Sequence, residues 1–483
     1  GTKVGEDPQK ASSPIFTSSP SGGFLLALGT AQYPFSRWIP ADGRVISGPF
    51  ALDTETTLID DKRPTSIPAL VLGMAFDGRQ GWFITAEDMP AFLAAHPANA
   101  LIFHNAAFDL AVLQATHDRL GLDVDVYARV ESGSVADTMI LARLFALGTV
   151  GHSARSQCSL DYCAQKYLSL ALPKDLTTPS GESVRLTFGR YLGRPLEAFP
   201  EVYLQYAAAD PVVTWLLFRH LKTRLPDLKA NAARAYGYAG DKWLEDQWKK
   251  HGPGTHDIQL KASIVLDEIS RTGVLIDQSR RDEKVAALEQ IVAETHLALA
   301  LAGLPAEGKG SPGALRKRIE RLAREHRNLP LVYTETGQVS TSEEQLNELA
   351  GLDPVLEVLL KHRQATKLLS TYANKMQPGK RIHGKFQYLM NTGRTSCGGG
   401  FNLQNLPKEL DAASKHENTI RGCFVPSPGH VFVVVDYAQI ELAVLGWAWK
   451  HQLGFGGSLH EIVSQGRDMH RLIASKVLGK EPA

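Results

Sequence analysis

The chain has 483 residues, 43% of them hydrophobic and 21% charged, with a formal net charge of +1. This length calls for two to four domains with separate cores, and the composition is that of an ordinary water-soluble globular protein. No apolar run approaches a membrane span, and "FLLALG" (Phe24–Gly29) lacks the basic flank and cleavage pattern of a secretion signal, so a cytoplasmic protein without a membrane partner is expected.

Residues 1–23 are rich in Ser, Pro and Gly and read as a disordered tail. From residue 24 to 225, short apolar runs alternate with helical stretches, the pattern of a mixed α/β domain. Within it, "GPFALDTET" and "NALIFHNAAFDLAVL" each read as a strand leading into a carboxylate. "GHSARSQ" (151–157) and "PKDLTTPSGESV" (173–184) read as loops. His152, Cys158 and Cys163 lack a fourth ligand at zinc spacing, and the four cysteines form no CxxC pair. Reduced structural thiols are expected.

A boundary is expected in residues 226–256, where "LEDQWKKHGPGTHD" runs into a Gly-Pro-Gly breaker. Residues 257–390 are mostly helical. One helix opens on Ser279 as N-cap and stops at Gly303. Another, "ALRKRIERLAREHR", places Lys317, Arg321 and Arg324 on one face, partly balanced by Glu320 and Glu325. Beyond Leu389 come glycine-rich loops, then "VFVVV" (Val431–Val435), an uninterrupted apolar run that reads as a strand buried on both faces. Asp436 sits at its end, and helices follow.

The net charge hides an asymmetry. No Asp or Glu occurs from Val358 to Lys408, although acidic residues otherwise occur about once in nine to ten positions. The same window holds Lys361, Arg363, Lys367, Lys375, Lys380, Arg381, Lys385, Arg394 and Lys408. That excess is the footprint expected for a polyanion partner.

Four carboxylates form a first constellation. Asp53 and Glu55 alternate on a strand, so both side chains leave one face. Asp109 follows strand "LIF" at the start of a helix, and Asp210 lies one helical turn after Tyr206. Together they suit two divalent ions roughly 3.5–4 Å apart, one to activate water and one to steady a leaving oxygen. Tyr206 would orient the water. Pro211, directly after Asp210, either kinks that helix or opens a new one, and in the second case Tyr206 and Asp210 need not share a face.

The ordered set "LDTETT", "HNAAFDLAVL", "YAAADPVVT" resembles the three motifs of the proofreading 3′–5′ exonuclease domain of family A DNA polymerases. The likeness implies an RNase H-like fold and two-metal hydrolysis of DNA from its 3′ end. "TGQVSTSEEQL" and "KHRQATKLLSTYANKM" resemble the thumb of the same family, and "TGRTSCGGGFNLQNLPK" the loop from thumb to palm. "RGCFVPSPGHVFVVVDYAQIELAVLGW" resembles its first palm motif, and "DMHRLIASKVLG" the start of its fingers.

Carried over by position, Asp436 would bind both palm metals, helped by the Tyr437 carbonyl. Gln439 and His470 would lie near the incoming dNTP, and Glu441 would crowd the sugar 2′ position. Arg394, Asn402, Gln404 and Asn405 would touch primer–template DNA near the minor groove, and Arg363 and Lys367 would grip phosphates. Ala443 stands where the family usually has arginine. The fold implied is an α/β, RNase H-like exonuclease domain (24–225), a connecting segment (226–256), a mainly helical thumb (257–390), a partial α+β palm (391–446) and the start of the fingers (447–483). Magnesium or manganese is expected, two ions per active site.

The family also needs a second palm aspartate and a fingers helix that binds the nucleotide. Asp267, Asp277, Asp353, Asp411 and Asp468 are not in strand–turn contexts that could supply the aspartate. A split polymerase is therefore expected, this chain being its N-terminal subunit with a C-terminal polymerase subunit as partner, or else a truncated chain. The alternative is a stand-alone exonuclease whose polymerase remnant holds DNA.

Overall fold

The computed structural model describes all residues except 1–14, 19–22, 61–65, 153–156, 237–241, 307–310, 327–328, 330, 378, 408–418, 452–453, 455–457 and 480–483. The chain forms two units, Gly1–Phe424 and Val425–Ala483.

The first unit is built on an eight-stranded mixed sheet. Its strands are β1 (Ile15–Ser18), β2 (Phe24–Leu28), β3 (Ala31–Arg37), β4 (Phe50–Thr56), β5 (Leu70–Phe76), β6 (Gly81–Thr85), β7 (Leu101–Phe103) and β8 (Val135–Asp137). They lie in the order β1-β2-β3-β6-β5-β4-β7-β8. β4 runs antiparallel to β5 and parallel to β7, so the DxE motif sits in the sheet interior. β5, "LVLGMAF", is buried at every position because helices cover both faces of the sheet. Four residues of the stretch expected to be a disordered tail, Ile15–Ser18, form a strand paired antiparallel with β2.

One face of the sheet packs against the helix Glu201–Tyr236, whose Tyr203, Leu204, Val213, Leu217 and Leu221 share a core with Leu72 and Phe76. The other face packs against Ala106–Arg119, whose Leu110 and Leu113 join Phe50, Leu52 and Phe103. A glycine helps set the long helix down. Gly78 has φ +98°, and a Cβ there would come within 2.5 Å of Trp215. Only glycine satisfies both the turn and that approach.

The long helix runs unbroken through Pro211 and Pro226. Of the two outcomes open in the sequence, Tyr206 and Asp210 therefore sit one turn apart on a single helix. The missing Pro211 N–H removes one ladder bond, and burial of the helix's own Ala207, Ala208, Ala209 and Val212 in the core it shares with the sheet holds it in place.

After a short helix, Lys242–His251, the helix His256–Thr272 buries Leu260 in the same core as Phe50 and Leu110, so it packs on the sheet domain rather than on the helices that follow. Those helices, Gln278–Leu301, Ser311–Glu325, Glu343–Ala350 and Pro354–Thr371, enclose two further cores. One holds Leu288, Ala365, Leu368 and Tyr372, the other Leu299, Ile319, Leu346 and Leu359. The Gln278–Leu301 helix is capped by Asp277, which accepts from Arg280 N–H, and not by Ser279, whose hydroxyl donates to Glu283. A carboxylate two residues earlier is the better acceptor for the exposed helix N–H groups.

The second unit holds the helices Ile440–His451, Ser458–Ser464 and Met469–Leu478. The expected buried strand is not there. Val431–Val435 has no strand partner among the described residues, and Val433 and Val434 are 82% and 89% exposed. A strand buried on both faces requires neighbours for its peptide groups and its side chains, and none of the described residues supplies them. No described helix is long and apolar enough to cross a membrane.

Candidate functional site

The first site forms where β4 meets the long helix. Asp53 and Glu55 leave β4 on one face, and Asp210 arrives from the helix. One oxygen of each lies within 4.8 Å of the others, the only such group of three metal-ligating side chains among the described residues. Carboxylate oxygens at this spacing fit a hard divalent cation such as Mg²⁺ or Mn²⁺. Asp109 borders this group in the first turn of Ala106–Arg119. It is buried and accepts a 2.6 Å hydrogen bond from the Thr54 hydroxyl.

The charges are strongly perturbed. Burial, then the Asp210 carboxylate, raises the Asp53 carboxyl to about 7, against a lowering effect from Lys174. Burial, then the neighbouring Asp53 and Asp210, pushes Glu55 well above the usual carboxylate range. Asp109 is also pushed well up, by burial and then by Asp53. Such a cluster resists full ionisation until cations enter it. Tyr206 is buried beside the same group, and burial raises its phenol far above the ordinary value.

Three contributors lie outside the sequence motifs. Lys174, in the loop 173–184, donates from Nζ to Asp210 Oδ2 at 2.5 Å and lies 5.2 Å from the centre of the Tyr206 ring. Asp137, at the end of β8, accepts from the N–H groups of Asn105 (3.2 Å), Ala106 (2.8 Å), Met139 (2.8 Å) and Ile140 (3.3 Å). It thereby starts two helices at once and fixes the one that carries Asp109. Asn105 adopts φ +80°, a left-handed geometry that asparagine tolerates. The imidazole of His256 accepts from the Asp137 N–H at 2.8 Å. An Asp before an apolar helix was a readable capping signal for Asp137; Lys174 offered none.

The four cysteines are buried and form no disulfide. Burial pushes the Cys163 thiol up to about 12, which makes it unreactive.

The expected DNA-contacting residues fall in two places on the first unit. Arg363 and Lys367 are exposed one turn apart on Pro354–Thr371, and Arg363 donates to the Thr341 carbonyl at 2.9 Å. Arg394, Asn402, Gln404 and Asn405 lie on one loop system. Asn402 Oδ1 accepts from the N–H groups of Gln404 and Asn405, and Gln404 donates to the Thr395 hydroxyl at 2.6 Å. Lys408 and Asp411 lie outside the described residues.

In the second unit, Asp436, Tyr437, Glu441 and His470 are exposed. Gln439 has φ +51° and accepts from the Met469 N–H at 2.9 Å, which ties the turn before Ile440–His451 to the start of Met469–Leu478. Among the described residues, no group of three or more metal-ligating side chains includes Asp436. The other aspartates considered have structural duties. Asp277, Asp353 and Asp468 cap helices, and Asp267 pairs with Arg271 at 2.9 Å.

Comparison with known proteins separates the chain the same way. Residues 44–226 match the profile described as 3′-5′ exonuclease, and residues 290–483 the profile described as DNA polymerase family A. DNA polymerase I of Chloroflexus aurantiacus is 29% identical over 403 residues, 80% of this chain and 36% of the relative. DNA polymerase I of Lactococcus lactis subsp. cremoris is 33% identical over 234 residues, covering 47% of this chain and 25% of the relative. The chain thus spans a quarter to about a third of the length of these relatives. The POL domain of Pol1 from M. smegmatis, solved with DNA primer-template and dNTP, shares the fold at TM-score 0.58 and 20% identity, over 91% of this chain and 65% of that one. The two profiles, in this order along one sequence, mark a 3′–5′ exonuclease domain followed by a segment of DNA polymerase family A.

Proposed function

We propose that this protein removes nucleotides from DNA 3′ ends at the Asp53–Glu55–Asp210 site and contributes thumb and part of the palm to template-directed DNA synthesis. The observation that carries the nuclease reading is the convergence of three carboxylate oxygens within 4.8 Å of one another. Asp53, Glu55, Asp109 and Asp210 are the residues that would hold two Mg²⁺ or Mn²⁺ ions. Those ions, when bound, supply the Lewis acidity for displacement at phosphorus. Tyr206 orients the attacking water through its hydroxyl. Its high pKa keeps that hydroxyl protonated and able to donate. On the same reading the exonuclease domain takes in β1 and the helix His256–Thr272 as well as residues 24–225, the thumb runs on from there to residue 390, and the palm and fingers segments are 391–446 and 447–483.

In the polymerase segment, Asp436 and the Tyr437 carbonyl form one side of a metal site. Gln439, Glu441 and His470 face the dNTP, and Arg363, Lys367, Arg394, Asn402, Gln404 and Asn405 face primer–template. The second palm acid comes from polypeptide outside these 483 residues, which also covers Val431–Val435. A separate C-terminal subunit is one source of it. The exposure of that valine run supports this assignment. A second reading, in which the chain acts alone as an exonuclease and its thumb only holds DNA, is favoured by a different observation: among the described residues the group of three metal-ligating side chains lies at Asp53, Glu55 and Asp210 and does not include Asp436.

A 5′-labelled primer–template with Mg²⁺ tests both. The chain should shorten the primer, and Asp53→Ala with Glu55→Ala should slow this by more than ~100-fold, since even an outer partner of a metal ligand is worth 10–100-fold. Undiminished degradation by the double variant would remove the nuclease assignment. Primer extension by these 483 residues alone, lost in Asp436→Ala, would show that no outside acid is needed.

A further inference from the structure

We propose that Lys174 is a resident cation of the exonuclease site, which competes with a divalent ion for Asp210. The inference rests on the nuclease reading above and concerns how that site is filled. Lys174 stands in a turn of the loop 173–184, and its ammonium is 2.5 Å from Asp210 Oδ2 and 5.2 Å from the centre of the Tyr206 ring. Only about a quarter of its side chain is exposed (26%), so its charge is largely withdrawn from water. A withdrawn ammonium is tolerated only beside negative charge, and this cluster has an excess of it. Lys174 also donates a hydrogen bond directly to a member of the carboxylate group.

The same oxygen cannot serve both cations. An ion bound at Asp210 would sit within a few ångströms of the ammonium, and like charges at that separation in a poorly solvated site repel strongly. Filling the site is therefore an exchange: the ammonium leaves Asp210 as the ion arrives. Lys174 can make this move because it stands on a loop, whereas Asp53, Glu55 and Asp210 stand on the sheet and the long helix. The free protein then binds its ion at Asp210 more weakly than the carboxylates alone would. Lys174 is a positioning residue here, not a catalytic one.

Mn²⁺ binding to the full 483-residue chain, followed by calorimetry and by the electron paramagnetic resonance of free Mn²⁺, reads this directly. Lys174→Met should tighten the weaker binding step by ~10-fold or more, and on an Asp210→Asn background the same substitution should give no gain. A folded Lys174→Met protein that binds Mn²⁺ equally or more weakly overturns the exchange and leaves the nuclease site standing. If neither protein binds Mn²⁺, both readings fall. A second measurement uses the unaltered chain. Reductive methylation of Lys174, followed by peptide mass spectrometry, should speed up on adding Mn²⁺; slower or unchanged modification overturns the proposal.

Discussion

Asp53 shows how far one position can depart from its ordinary chemistry. Its carboxyl has a reference value of 3.8 and is raised to about 7, by burial first and by the Asp210 charge second. A carboxyl raised in the folded state binds a proton that the unfolded chain has already released. Its contribution to stability is therefore complete below about pH 4 and is lost as pH rises through 7. Glu55 and Asp109, shifted the same way, add to the loss. The metal-free protein should thus show a falling melting temperature between about pH 4 and 7. Mn²⁺ or Mg²⁺ should restore it at pH 8, and Asp53→Asn should flatten the slope. A melting temperature that rises across this window without metal would contradict the raised values.

At the scale of elements, the site depends on how two helices begin. Asp137 ends β8, caps Thr138–Val150 and also receives the first N–H groups of the helix that bears Asp109. Its carboxylate is fully buried, so its removal strands four N–H donors. Asp137→Ala should cost about 3 kcal/mol or more, a drop of roughly 6–12 °C in melting temperature for a domain of this size. Metal affinity should fall with it, because Asp109 loses its support. A thermal shift under a degree would mean that water replaces the carboxylate without penalty. The Pro211 helix makes a related point: propensity argued for a break, and burial of the helix against the sheet overruled it.

At the scale of the whole molecule, the two units differ in how much they enclose. The first unit surrounds four apolar cores. The second leaves Val431, Val433, Val434 and Val435 at least 80% exposed, with Tyr437 at 74%. An exposed apolar run rich in β-branched residues pairs readily with another chain. The 483-residue polypeptide should therefore self-associate at micromolar concentration, and Val433→Lys with Val435→Lys should shift it toward monomer in light scattering. Those two changes should leave 3′–5′ degradation intact, because none of the residues assigned to the nuclease lies in that segment. A monomeric parent chain would show that the run is covered in some other way.

Much of this protein was determined by local pattern alone. The alternation of Asp53 and Glu55 on a strand, the Asp109 position at a helix start and the Tyr206–Asp210 spacing are consequences of backbone periods of 2 and 3.6, which any reader of the sequence can count. The basic window with its Arg363–Lys367 pair was equally legible. Tertiary structure alone decided the rest. Lys174 entered the site because a loop folds back over a helix that begins 27 positions later, and no spacing rule connects the two. Asp137 holds Asn105 and Ala106 across a parallel sheet, again beyond any local period. Val431–Val435 has the composition of a buried strand, yet burial belongs to the neighbours a segment finds and not to the segment, and among the described residues it finds none.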